Sequence, residues 1–161
     1  MRSKRLKYAL AIGLVIVLGL AGCDRQTAAT GKLDQRVTSV GIMALQWPKA
    51  VPVGAKFEVK LAVRNTGDRT LPSLPGSADG ALGVNASYHW KGTDARVVVW
   101  DGLLTPLGAD LAPGDQKEVS LQVESPKAPG LYVLEIDLLQ TTAFWFAGAG
   151  SQTASMVIDV K

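Results

Sequence analysis

The sequence predicts an all-β domain, an antiparallel sandwich of about seven to eight strands, and three observations predict it. Apolar and polar residues alternate along several segments with the period of half-buried strands. Between them stand "NTGD", "KGTD", "LAPGD" and "KAPG", in which glycine supplies positive φ, proline pre-sets φ, and Asn or Asp side chains bond the local backbone. No segment beyond residue 36 spaces its apolar residues as a helix would.

The chain begins differently. In "MRSKRLKY", Arg2, Lys4, Arg5 and Lys7 precede an uninterrupted apolar run from Ala9 to Leu18, the layout of an export signal helix over residues 1–22. The run is shorter than the roughly 20 residues a membrane-spanning helix needs. It leads into "LAGC", Leu20 to Cys23, which resembles the lipobox of bacterial lipoproteins. That resemblance implies cleavage before Cys23, a diacylglycerol on its sulfur, and an acyl chain such as palmitate on the new amino group. Stable anchoring in a bilayer needs more than one such chain. The lone cysteine agrees, because an exported chain ordinarily pairs its cysteines or lacks them, and an acylated sulfur forms no disulfide. Asp24 resembles the residue that holds enteric lipoproteins at the inner membrane, so the expected location is the periplasmic, outer face of the inner membrane rather than the outer membrane. Residues 23–36, ending in "DRQTAATGKLDQR", are polar and free of aromatics, and read as a flexible tether spanning on the order of 20 Å.

Removing the signal changes the charge. The whole chain is formally +3, but four of its 17 basic residues lie in the signal, leaving 13 against 14 acidic residues, a net −1. No clustered basic face is expected, and with it no nucleic-acid partner.

Residues 37–161 have the length of one domain. A first strand is expected over 37–45. In "KFEVKLAVRN", Phe57, Val59, Leu61 and Val63 share one face, and Lys56, Glu58, Lys60 and Arg64 the other. "GVNASYHW" separates Val84, Ala86, Tyr88 and Trp90 from Asn85, Ser87 and His89. A strand over 96–100 follows. "KEVSLQVE" turns Val119, Leu121 and Val123 inward, and "GLYVLEIDLLQ" does the same with Tyr132, Leu134, Ile136 and Leu138. Strands over 143–146 and 154–160 complete the set. "PGLY" puts Tyr132 at a strand start after a Pro-Gly turn, the place of a tyrosine corner, and Trp90 falls where a core tryptophan would sit. Both are expected in the structural core, and the sandwich is therefore expected to be immunoglobulin-like. Leu134 stands where antibody domains carry a cysteine, so the core must hold by burial alone, at roughly 1.5–3 kcal/mol for each large apolar side chain.

The run "VRNTGDRTLP", "SYHW", "DGLLTPL", "LAPGD", "KAPGLYVLEIDLLQ" and "FWF" resembles an immunoglobulin-like accessory domain appended to bacterial glycosyltransferases and methyltransferases of envelope-polysaccharide loci, and more distantly the glycan-reading sandwich of some O-antigen exporters. The resemblance spans roughly residues 51–146. It implies a fold rather than a ligand, because Leu71, Leu104 and Thr141-Thr142 depart from the pattern where ligand contacts are expected.

The residue inventory argues against an enzyme. One histidine cannot build a histidine metal site, the lipobox resemblance implies that the sole cysteine is acylated, and no G-x-S-x-G elbow occurs, so no metal, cofactor or nucleophile is expected. Asp101, Asp110, Glu135 and Asp137 are the carboxylates a glycosidase would have to bring together. Glu135 and Asp137, however, share the outward phase of one strand, as solubilising charges do, and His89 reads as an exposed strand histidine. In "TTAFWFAGAGS", alternation sends Trp145 to one face and Phe144 and Phe146 to the other, either as core or as a binding edge. Residues 66–83 form a long connection of the kind that tends to be functional or disordered. The function expected is a membrane-anchored, non-catalytic binding or adaptor lipoprotein that docks an envelope protein through the aromatic edge near Trp145 and the 66–83 loop. The alternatives are a glycan-binding module for envelope polysaccharide, with Trp100, Trp145 and His89 as its stacking patch, and a hydrolase using the surface carboxylates.

Overall fold

Strands with one apolar face need a second apolar surface to bury against, and this chain supplies it by dividing its strands between two facing sheets. The computed structural model describes residues 39–73, 83–141 and 143–161. The expected signal, Cys23, Asp24, the tether and part of the 66–83 connection lie outside the described residues.

In chain order the strands are β1 (Val40–Gln46), β2 (Ala50–Val51), β3 (Lys56–Asn65), β4 (Val84–Gly92), β5 (Val97–Val99), β6 (Thr105–Pro106), β7 (Gln116–Glu124), β8 (Gly130–Gln140), β9 (Phe144–Trp145) and β10 (Ala154–Val160). The smaller sheet has the order β1-β3-β7. The larger runs β2-β10-β8-β4-β5, with β6 also paired to β4 and β9 to β8. Only β2 and β10 run parallel; the other pairs are antiparallel. This is an all-β, immunoglobulin-like sandwich, as the sequence predicts. The two strands beyond the expected eight are β2 and β6, each two residues long and too short to leave a periodic signature. The sole helical turn among the described residues is the 3-10 turn Ala147–Ala149.

The predicted inward faces meet in the core. Val59, Leu61 and Val63 of β3 and Val119, Leu121 and Val123 of β7 face Tyr88 and Trp90 of β4, Leu134, Ile136 and Leu138 of β8, and Ile158 of β10. Trp90 is fully buried; its ring lies edge-on to Tyr88 at 6.4 Å and to Tyr132 at 6.1 Å, with Phe57 tilted against it at 6.4 Å. Its indole N–H donates to the Glu124 carbonyl at 2.9 Å, and the Glu124 N–H donates to the Tyr88 hydroxyl at 2.9 Å. β7 is an edge strand, so these two bonds give backbone groups at its end the partners that a further strand would have provided. Tyr132, half-buried, donates its hydroxyl to the Ala128 carbonyl at 3.1 Å, four residues back, the geometry of a tyrosine corner.

Asn65 ends β3 and organises the chain around it. Its side-chain amide donates to the carbonyls of Arg69 and Leu111 at 2.7 and 2.8 Å, and its side-chain oxygen accepts the Gly67 N–H at 3.0 Å. Gly114, at φ 85°, takes the left-handed conformation that lets its own N–H reach the Asn65 carbonyl at 2.9 Å.

Candidate functional site

Two expectations about the outward face of β4 and β8 are corrected here. His89, expected to be exposed, retains 2% of its accessible surface, and Asp137, expected to be a solubilising charge, is fully buried. The neighbouring Ser87 and Asn85 are buried as well. The reason is long-range: aromatic residues from both flanks of the strand pair fold over it.

One flank is the stretch after β5. β5 pairs with β4 through Val99 opposite Trp90 and Val97 opposite Lys91, with an irregularity between them, and β6 rejoins β4 at Asn85 and Ala86. Residues 100–104 bulge between these two contacts. Within the bulge, Gly102 donates its N–H to the Tyr88 carbonyl at 3.0 Å. A Cβ at Gly102 would stand 2.6 Å from that oxygen and 2.7 Å from two Tyr88 ring carbons, so the close approach requires glycine. Gly102→Ala is expected to cost about 1–3 kcal/mol, as overpacking does, and to lower the urea midpoint at unchanged slope; an unchanged midpoint would mean that the bulge is not held against Tyr88.

The bulge delivers Trp100 onto His89, ring on ring at 4.1 Å and 18°. The other flank delivers Trp145. β9 folds back along the end of β8, Trp145 opposite Leu139, and the Trp145 ring meets His89 at 4.4 Å and 59°. The two indoles meet edge-on at 6.2 Å. His89 Nδ1 also bonds the Trp100 carbonyl. A carbonyl only accepts, so Nδ1 carries the proton.

Asp137 secures the second flank. Its carboxylate accepts the Ala147 N–H at 3.1 Å and the Leu138 N–H at 2.7 Å, which pins the turn after β9 onto β8. Burial pushes its carboxyl above the usual carboxylate range, while the Ala147 and Leu138 amides and the nearby His89 offset part of that rise. Ser87 lies directly across from Asp137, and its buried hydroxyl has no hydrogen-bond partner. Glu135 instead forms an ion pair with Lys91 at 2.7 Å.

The structure thus brings three of the predicted site residues, His89, Trp100 and Trp145, into one cluster. Phe144 and Phe146 stack on each other at 5.1 Å on the other side of β9, with Phe146 fully buried in the core. Asp101 stands in the exposed bulge, and Asp110 accepts the Ser73 N–H at 2.6 Å. Among the described residues, no three His, Cys, Asp or Glu side chains gather as a metal site. Sequence reasoning missed the apolar edge that the bulge exposes: Val97, Val98, Trp100, Leu103 and Leu104 are each 38–48% exposed. The signal for it was the run "VVVWDGLL", six apolar residues out of eight around a glycine break.

No family model matches the chain, and no curated protein does. Among solved structures it is similar to a β-glucosidase from Listeria innocua, at 13% identity and TM-score 0.46, covering 76% of this chain and 16% of that one. A β-glucosidase from Erythrobacter marinus gives 18% identity and TM-score 0.45, over 77% of this chain and 16% of that one. The CARDB domain of the PF1109 protein from Pyrococcus furiosus gives 16% identity and TM-score 0.41, over 83% of this chain and 97% of that one. This chain therefore corresponds to 16% of the length of either β-glucosidase, and none of these likenesses carries a function to it.

Proposed function

We propose that this chain is a lipid-anchored, non-catalytic docking module of the bacterial envelope that binds a protein partner. The observation that carries the docking is the exposed apolar edge from Val97 to Leu104, with Trp100 at its centre. Tryptophan is enriched among the residues that dominate protein interfaces, and one held in place before binding loses little entropy on binding. Trp100 meets both conditions: one face is packed on His89, its edge abuts Trp145, and 48% of the residue remains accessible. The anchoring rests on the export signal and the "LAGC" block with Cys23, and the inner-membrane location on Asp24.

A photo-crosslinker in place of Leu104, activated in intact cells, tests the docking. The expected result is an adduct with one envelope protein whose yield falls at least about tenfold when Trp100→Ala is added, because interface anchors contribute that much or more. An adduct indifferent to Trp100, or none, contradicts it.

The glycan reading retains one supporting feature, the solvent-facing side of Trp100, on which a sugar ring could stack. It is weakened by His89, whose ring is packed against both indoles and whose Nδ1 is already bonded. Titrating the protein with envelope oligosaccharides while recording tryptophan emission decides it: a saturable change that Trp100→Ala abolishes supports glycan binding, and a flat response removes it.

A further inference from the structure

β5 is the last strand of the larger sheet on its side, and among the described residues nothing pairs with its outer edge. Such edges are usually protected by lysine, proline or a covering loop, because their free N–H and C=O groups template the addition of another strand. Here the edge reads Val97, Val98, Val99, and its first two side chains are exposed.

Beside this edge a groove opens between β5 and the turn after β7. Lower down the two sheets are joined, since the Gln122 N–H of β7 donates to the Thr105 hydroxyl of β6 at 3.2 Å. Above that point the bulge pressed onto Tyr88 and the turn after β7 enclose a groove of about 530 Å³. This volume lies within the range of sites that take a ligand or an inserted side chain. Its accessible apolar surface comes mainly from Tyr132, Val98 and Leu103, since Tyr88, which also lines it, is 2% exposed. Its charged lining is Asp101 and Glu124 against Lys127, and among the described residues none of these three forms an ion pair, whereas the neighbouring Asp94 and Glu135 have Arg96 and Lys91. Two carboxylates against one ammonium leave the groove short of positive charge.

Building on the docking function proposed above, we infer that β5 and this groove form a strand-addition site for an extended segment of the partner in which an apolar residue and a lysine or arginine stand two positions apart, on the same face of the strand. The backbone of the segment pairs with the open edge of β5, and alternate side chains enter the groove, as in other strand-addition complexes. The apolar side chain lies against the Tyr132 ring, Val98 and Leu103, and the cation is placed beside Asp101 and Glu124. The preference for an extended peptide comes from the edge, and the preference for a basic one from the unpaired carboxylates.

The test uses the full acylated chain in detergent micelles and three fluorescent peptides, followed by anisotropy: Ac-Val-Thr-Lys-Thr-Val-amide, its counterpart with glutamate in place of lysine, and the lysine peptide N-methylated at alternate residues. The lysine peptide is expected to bind saturably, and the glutamate and N-methylated peptides about tenfold more weakly or not at all. Asp101→Asn combined with Glu124→Gln, both isosteric and confirmed folded by an unchanged urea midpoint, is expected to erase the preference for lysine over glutamate. Equal binding of the lysine and glutamate peptides, or binding unaffected by N-methylation, overturns the inference. So does self-association of the chain that excludes the peptide, since the edge would then belong to a second copy. Failure of the lysine peptide while the Trp100-dependent adduct at position 104 persists would sink this site and leave the docking function standing; loss of both would sink the two together.

Discussion

Trp90→Ala is expected to remove about 3–5 kcal/mol of folding stability, the cost of emptying a fully buried large aromatic site. A domain of this size has about 5–15 kcal/mol in total, so the variant loses a large share of it. Trp90 stands at the centre of the sandwich, touching Phe57 from the smaller sheet and Tyr88 and Tyr132 from the larger. Its indole also satisfies the Glu124 carbonyl at the edge of β7. Trp90→Phe separates the two contributions: it keeps most of the packing but leaves that carbonyl without its donor, at about 1–3 kcal/mol. Urea denaturation of the three proteins measures both. A loss within about 0.5 kcal/mol for Trp90→Ala, the range of surface substitutions, would contradict the packing described here.

Asp137→Asn should change the pH dependence of stability in a defined direction. The folded carboxyl titrates above its unfolded value of 3.8, mainly because burial disfavours the charge. Between the two values the folded state holds more protons than the unfolded state, so stability falls as pH rises through that window and then levels off. Asparagine keeps an oxygen for the Ala147 and Leu138 amides but carries no charge. The stability of the natural protein relative to the variant is therefore expected to be greatest below pH 3.8 and to decline as pH rises past it. Urea midpoints for both proteins at a series of pH values test this. Parallel curves, or a natural protein that gains on the variant with rising pH, would show that Asp137 is not buried as a charge.

What was legible in the sequence follows from how far each signal extends along the chain. The period of β3, β8 and β10 is local, and their expected ends coincide with the observed Lys56–Asn65, Gly130–Gln140 and Ala154–Val160. β4 has the same period, but alternation reports only that its two faces differ. It cannot report that the polar face is covered, which is why His89 and Asp137 were expected in water. The cover consists of residues 11 and 56 positions from His89, Trp100 and Trp145, brought there by a bulge and by a two-residue strand. Neither element leaves a period. The aromatic residues themselves were legible as candidates, because exposed-phase tryptophans are uncommon enough to notice. Their partner was not, since a lone histidine in an alternating strand looks the same whether solvent or indole lies above it. The groove beside β5 was equally hidden, being formed by the contact of Gly102 with Tyr88 across the sheet edge.

The anchor and the edge support each other physically in the proposed function. A short apolar edge with one tryptophan offers a modest interface, and modest interfaces bind weakly in dilute solution. Holding the domain on a short tether confines it near partners in the same bilayer, which raises the effective concentration and lowers the affinity that docking requires. Without the lipid, the Trp100 edge would have to work alone.

The most direct test of that dependence is the intact mass of the protein extracted from its native membranes. The proposed function requires a chain that starts at Cys23 and carries diacylglycerol and an N-acyl group. A chain retaining residues 1–22, or one with an unmodified thiol at position 23, would contradict it.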